Sequence, residues 1–331
     1  STLFPYTTLF RSVKFRGELD ALVDAINATG YGLTFGTHSR IDETIDHLTS
    51  RVHAGNLYVN RNVIGAVVGV QPFGGMGLSG TGPKAGGPLY LYRLVQSSAN
   101  AALAAVPELA GHEPDAALNP SLTALDALLA ALDADPARLL PQHEDQAGAA
   151  RLLCQASRAA SFLQAQAGLP GPTGESNRWR LLPRGPVWAL PATPLGLLAQ
   201  VAAAFASGNA CHVVLPAGDA ALQAAYTALH ASVQARLGDA TGQWLHRASP
   251  AALGDAATAV AAALFEGDGD ALLQVNAQLA AREGALVRLE SRQTQQLQSG
   301  QGYDLAALAH EQSISVNTAA AGGNAQLMML S

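Results

Sequence analysis

The sequence predicts an α/β protein built from more than one unit, and three observations carry that prediction. Apolar residues recur at helical spacing in two early windows, Leu19, Leu22, Val23, Ile26 and then Ile41, Ile45, Leu48, Val52, and a strand-like run follows each. From Ala149 onward, strand candidates alternate with helix candidates, the pattern of βαβ units and a mostly parallel sheet. The chain has 331 residues, 49% hydrophobic and 13% charged, which suits two domains with substantial cores.

In chain order, Ser1–Ser12 has neither the basic region nor the cleavage site of a signal peptide. It reads as translated adapter sequence and is set aside, so the chain is expected to be a piece whose N-terminal part is missing. Glu18–Ala28 is a predicted amphipathic helix ended by Gly30, followed by a strand at Leu33–His38. The second helix has Asp42 and Glu43 in its first turn, where the helix dipole favours acids. Asn56–Asn60 is the next strand, and Leu89–Val95 is expected to be another. This first unit is too short to close its own sheet.

Ser97–Asp145 is rich in alanine with scattered proline and aspartate, and is expected to be a linker that docks in places. Leu122, Leu125, Leu128, Leu129 and Leu132 mark one amphipathic helix within it. His112-Glu113 and His143-Glu144 lack a second histidine four residues on, so solvated charge accounts for them better than a metal. A long helix is then expected to run to Gly168, and a turn at Gly171–Asn177 leads into Trp179–Leu190. Pro194–Ser207 is a helix with Gly208 placed as a left-handed cap. The strand Cys211–Leu215, the helix Asp219–Leu237 and the strands Trp244–Arg247, Ala263–Glu266 and Ala285–Glu290 complete the pattern.

Composition excludes several classes of function. A net charge of −6 argues against a duplex-DNA surface, so no nucleic acid is expected as a partner. No uninterrupted apolar run reaches the roughly 18 residues of a membrane span. Two distant cysteines do not make a disulfide framework, and a reducing, cytoplasmic setting is expected. Cys154 falls in a helix-like run and Cys211 in a strand, where a small buried hydrophobe is the ordinary role.

The stretch richest in chemical meaning is Ile64–Pro88, with nine glycines, three prolines and a single aromatic, Phe73. Glycine allows positive φ and close approach of the backbone to a ligand, while proline limits how loose such a loop can be. Valines and a leucine between the glycines argue against disorder, which leaves an ordered binding loop whose amides face something small and polar. Gly75–Gly80 matches the dinucleotide fingerprint G-x-G-x-x-G, but Pro83, Gly86, Gly87 and Pro88 prevent a following helix, and Asn100 stands where the acid is needed. Gly77–Lys84 fails as a phosphate-binding loop because Pro83 precedes the lysine.

Ile26–Ile45, Gly55–Asn62 and the combination P-F-G-G with G-L-S-G-T-G-P-K-A-G-G-P resemble the C-terminal end of an aldehyde dehydrogenase. Over Val13–Gln96 the resemblance is to the glutamate-semialdehyde (pyrroline-5-carboxylate) dehydrogenase part of the bifunctional proline utilisation A family. It implies that backbone amides at Gly65 and Ala66 hold the substrate's α-carboxylate and that Phe73 packs on its aliphatic chain. Amide donors suit a carboxylate. The alternative is that Gly65 and Ala66 only turn the chain while Phe73 fills core. The resemblance also implies NAD as cofactor, FAD in a separate proline dehydrogenase part, a homo-oligomer, and a cytoplasmic parent with a membrane-peripheral setting as an alternative. The family's cysteine nucleophile, glutamate base and most of its NAD site lie upstream, so no catalytic residue is assigned here and the chain alone is expected to be inactive.

Residues from 149 on resemble the C-terminal domain of the longer family members, a degenerate, Rossmann-like, aldehyde-dehydrogenase-like unit. Pro194–Ala217 carries that likeness, but Leu215 stands in the place of the ribose-binding lysine, and Ala192-Thr193 lack the oxyanion asparagine. This implies a unit that neither binds NAD nor catalyses, but packs against the catalytic domain or a partner subunit. His310–Leu330 resembles the terminal motif that covers an internal tunnel in the long members, with Leu327–Leu330 favouring docking. The expected organisation is thus adapter sequence at 1–12, the end of a catalytic domain at 13–98, a linker at 99–148, a non-catalytic Rossmann-like domain at 149–309 and a covering motif at 310–331. A non-catalytic lid or assembly module is the alternative function.

Overall fold

The computed structural model describes residues 17–94, 100–107, 109, 112–255 and 257–319. The adapter-like segment and most of the expected terminal motif, Leu327–Leu330 included, lie outside the described residues. The chain opens with helix α1 (Leu19–Asn27), strands β1 (Tyr31–Gly32) and β2 (Thr34–Thr37), helix α2 (Asp42–Arg51) and strand β3 (Asn56–Val59). Gly30 ends the first helix at φ +72°, as its position predicts. The glycine-rich loop follows and holds strand β4 (Met76–Gly77), which pairs antiparallel with β1.

Leu89–Val95 departs from the expected strand. Leu91–Leu94 is a 3₁₀ turn, and Leu91 and Leu94 are both exposed while Tyr92 packs on the main core. That facing does not alternate with period two, and among the described residues no strand pairs with it. The expected linker is also different from its prediction. It forms helices α3 (Ala101–Ala104), α4 (Pro120–Ala134) and α5 (Pro136–Leu139), and α4 is a layer of the main core. Leu122, Leu125, Leu128 and Leu132 are all fully buried, each worth about 1.5–3 kcal/mol of transfer free energy.

Helix α6 (Ala147–Ala159) is shorter than the predicted run to Gly168. Ser161 Oγ donates to the Ala206 carbonyl at 2.7 Å, Gln164 takes φ +68°, and the chain enters strand β5 (Gln166–Leu169), antiparallel to β6 (Glu175–Pro183). A residue at positive φ cannot continue a helix, and here it reverses the chain. Strand β7 (Val187–Leu190), helix α7 (Pro194–Ala206), strand β8 (Cys211–Val214), helix α8 (Ala220–Leu237), strands β9 (Leu245–Ala248) and β10 (Ala262–Glu266), helix α9 (Gly269–Ala280), strand β11 (Arg288–Arg292), helix α10 (Thr294–Gln298) and strand β12 (Ala309–Asn317) complete the chain. Gly208 sits at φ +71°, as the predicted left-handed cap requires, and Asp219 and Asp268 cap α8 and α9 by accepting from Leu222 N and Ala271 N at 2.9 Å each.

Among the described residues two five-stranded sheets result, giving a mixed α/β fold. One is wholly parallel, in the order β11-β10-β7-β8-β9. Renumbered from β7, this is 3-2-1-4-5, the doubly wound arrangement, with its topological switch between β7 and β10. Helix α7 is buried along its whole length between this sheet and α4, α6 and α8. A run of alanines and leucines with no polar face requires that position.

The other sheet is mixed, in the order β2-β3-β12-β6-β5. The first unit indeed does not close its own sheet: β12 lies parallel to β3 on one side and antiparallel to β6 on the other. The expected segments 13–98, 149–309 and 310–331 therefore share one sheet, with Val23, Leu48, Val52, Leu57 and Ile314 in a common small core. No helix among the described residues is long and apolar enough to cross a membrane.

Candidate functional site

Strand β3 delivers the chain into the glycine-rich loop, and the first turn of that loop is built around unpaired backbone donors. Gly65 takes φ +86°, and a Cβ there would meet no atom within 4 Å, so the turn is open to its surroundings. The neighbouring amides are occupied: Ile64 N donates to Asn62 Oδ1 at 3.1 Å and Val67 N to Gln71 Oε1 at 2.9 Å. No described group accepts from Gly65 N or Ala66 N. Gly65 is exposed and Ala66 half-buried, and Val68 N and Gly69 N likewise have no described acceptor, so this turn carries several unpaired amides, a donor set of the kind that suits an anion. Phe73 is 39% exposed and joined to Ala85 by a two-bond bridge, 3.0 and 2.8 Å, so it does not fill core. Two shallow surface depressions, of about 410 and 490 Å³, lie elsewhere, beside Asp20–His47 and Arg138–Gln223.

The loop is held from beneath by side chains that sequence reasoning missed. Lys84 is 1% exposed, and its Nζ donates to Asn56 Oδ1 (2.9 Å), the Gly74 carbonyl (2.7 Å) and the Pro72 carbonyl (3.3 Å). Those three acceptors match the three donors of an ammonium. Burial nevertheless pulls its pKa down to about 7, against a smaller opposing pull from Glu311. Glu311, on β12, accepts from Lys84 N at 2.7 Å and from Trp179 Nε1 at 2.9 Å, and burial raises its carboxyl above the usual range. At the other end of the loop, Glu175 on β6 accepts from Arg61 and from Gln71 Nε2. A lysine among glycines reads as surface charge, so nothing in the sequence marks Lys84 as buried.

Neither cysteine is placed for chemistry. Both are fully buried, and burial pushes the Cys154 thiol up to about 12 and the Cys211 thiol higher still. A thiol held protonated is a poor nucleophile.

In doubly wound folds, ligands bind at the carboxyl ends of the strands where the strand order reverses. In this chain that crevice is filled by Glu266, at the end of β10 and 2% exposed. Its carboxylate accepts from Ala192 N and Thr193 N (2.8 Å each), Thr193 Oγ1 (2.9 Å) and Thr294 Oγ1 (2.8 Å). An ideal Cβ on Gly196 would lie 1.8 Å from its Oε2. The amides that would receive a dinucleotide phosphate are thus already taken, and Leu215 is buried in the core. These residues do not fit NAD.

Residues 10–99 match the aldehyde dehydrogenase family model. The chain is 44% identical over 316 residues to the bifunctional protein PutA of Rhizobium meliloti, a match covering 95% of this chain. Its homologues are the bifunctional PutA proteins. The chain spans 23% of the length of that PutA relative. A shorter match, 45% identity over 80 residues, links 24% of this chain to 16% of the 1-pyrroline-5-carboxylate dehydrogenase of Geobacillus sp. (strain WCH70). The solved Proline Utilization A structure from Corynebacterium freiburgense overlays 91% of this chain and 24% of its own, with 20% identity and a TM-score of 0.48. The sequence match to PutA, at 95% of the chain, takes in both the glycine loop and the doubly wound sheet, whereas the family model ends at residue 99.

Proposed function

We propose that this chain supplies the carboxylate-holding loop of an NAD-dependent dehydrogenase that oxidises L-glutamate γ-semialdehyde to L-glutamate. The observation that carries the reading is the pair of unpaired amides at Gly65 and Ala66, in the region matched by the aldehyde dehydrogenase family model of a chain that PutA matches over 95% of its length. The α-carboxylate accepts from those two N–H groups, and Phe73 lies against the aliphatic chain. Oxidation consumes one water and yields the carboxylate, a reduced nicotinamide and two protons. The nucleophile and base come from outside this chain, because its own thiols are buried and protonated. NAD, when bound, accepts the hydride at a site outside this chain, and FAD belongs to a separate proline dehydrogenase part. A homo-oligomer in the cytoplasm is the setting that goes with this reading.

The filled crevice at Glu266 favours a second role beside the first, a doubly wound unit that supports rather than binds cofactor. One assay separates them. The chain is tested for NADH formation from glutamate semialdehyde, alone and with the upstream part of the Rhizobium meliloti PutA relative added. Activity is expected only in the mixture, and Ala66→Pro, which removes one amide donor, raises KM for the aldehyde at least tenfold. An unchanged KM in that variant would remove the loop from substrate binding.

A further inference from the structure

The glycine loop owes its shape to two carboxylates donated by the other half of the chain. Both sit in the strand pair β6–β12, and the register places them at opposite ends, since Asn317 faces Glu175 while Glu311 faces Leu181. Glu311 holds the returning limb through Lys84 N, and an ideal Cβ on Gly87 would come within 3.1 Å of its Oε1, so the limb lies close against it. Glu175 holds the outgoing limb. It pairs with Arg61, which also lies 5.0 Å from the centre of the Tyr58 ring, and it takes the Gln71 Nε2 donor.

The Gln71 contact has a directional consequence. A side-chain amide has a donor end and an acceptor end. Because Glu175 takes the donor end, the Gln71 oxygen must face the loop, where it accepts from Val67 N at 2.9 Å. Gln71 N in turn donates to the Val67 carbonyl at 2.8 Å, closing a ring that fixes the residue next to Ala66. Gln71 is buried, and Glu175 and Arg61 are only 13% and 14% exposed at the side chain, so water competes weakly for these bonds.

We propose that Glu175 is a positioning residue for the carboxylate loop, acting through Gln71 to fix the turn at Gly65 and Ala66. The proposal rests on the reading of that turn as a carboxylate cradle. It gives the doubly wound half of the chain a part in substrate recognition without a ligand of its own, because β6 is carried on that half. With Glu175 in place, Val67 N is spoken for, while Gly65 N and Ala66 N keep no described acceptor. Without it, Gln71 is free to turn over, and the Val67 amide loses its acceptor.

The test uses the full chain in two measurements. Hydrogen exchange is followed peptide by peptide in wild type and Glu175→Gln, with Gln71→Ala as a second variant that leaves the Arg61–Glu175 pair intact. Exchange in peptides covering 61–74 is expected to rise at least tenfold in both variants, with peptides of α4 and α7 unchanged. L-glutamate, which carries the same α-carboxylate, is then titrated while the Gly65 and Ala66 amide resonances are followed. Its dissociation constant is expected to rise at least fivefold in both variants. Unchanged exchange at 61–74, or changed exchange with unchanged glutamate affinity, overturns the positioning role alone. Wild-type amides that do not respond to L-glutamate overturn the cradle reading, and the positioning role with it. General unfolding of Glu175→Gln leaves the decision to Gln71→Ala, where the same outcomes apply.

Discussion

Replacing Glu266 with alanine tests whether its carboxylate acts as an internal ligand of the doubly wound sheet. The substitution removes the shared acceptor of two backbone amides and two hydroxyls in a place that is 2% exposed. A buried donor left unpaired costs about 1–3 kcal/mol. Water entering the vacated space recovers part of this, because it would find several polar partners. With four donors affected and water recovering part of the cost, the net loss is expected at about 3–5 kcal/mol. With a urea slope of about 3 kcal/mol/M, the unfolding midpoint falls by about 1–1.7 M. Glu266→Gln should lose less. Its amide nitrogen can face Thr193 and Thr294, whose hydroxyls rotate to accept, while its oxygen still serves Ala192 N and Thr193 N. Sulfate should stabilise the alanine variant more than wild type, by filling the same donors. A midpoint shift below about 0.3 M, with no added response to sulfate, would refute the idea that the carboxylate holds this crevice together.

Two further outcomes follow from buried titratable groups. Lys84 in the folded chain loses its proton near pH 7, while in the unfolded chain it keeps one to about pH 10. The unfolded state thus binds more protons between those values, so stability rises with pH there. Wild type should gain about 3 kcal/mol more than Lys84→Met between pH 7 and 9.5 in urea melts, and parallel pH profiles would contradict the burial. Iodoacetamide at pH 8 should modify Cys154 and Cys211 at least a hundredfold more slowly in native than in urea-unfolded chain, as read by mass spectrometry, because burial keeps both thiols protonated.

Much of the fold is legible because it is written in local patterns. The 3.6-residue spacing of Leu122 to Leu132 marks α4, and Asp219 and Gly208 punctuate helices by residue type alone. The alternation of strands and helices after Ala149 gives the parallel sheet. What escapes is non-local. His310–Asn317 reads as the start of a terminal covering motif, yet it is an inner strand of the mixed sheet, paired on one side with β3 and on the other with β6, and Gln312, Ser313, Ile314 and Ser315 are all buried. The alanine-rich 99–148 segment reads as a linker because alanine gives no facing signal, although Ala124 is fully buried. At the site, Gly65 and Ala66 were marked by resemblance and are found with free amides. Lys84, Glu175, Glu266 and Glu311 were not marked, since a lone charge in sequence looks solvated until its distant partners are known.

Ending the chain before Ala309 separates what the two sheets contribute. Strand β12 makes nine residue pairs with β6 and four with β3, and Ile314 completes the core under α1 and α2. Without it, β2–β3 becomes a two-stranded piece, which is marginal in water, while β5–β6 keeps its packing on the main core through Ala167, Trp179 and Leu181. The loop loses Glu311 and the Ser313 Oγ bond to the Pro72 carbonyl (2.9 Å) at the same stroke. The doubly wound sheet has no pairing with β12, and its main core is formed by α4, α6, α7 and α8. Hydrogen exchange should therefore show protection lost across 19–59 and 61–87 but retained across 187–214 and 262–266. Equal loss in both regions would mean that the doubly wound sheet also depends on the terminal strand. Retained protection at 19–59 would mean that the first unit stands on α1 and α2 alone, and the positioning of the loop by the second half would then have no structural basis.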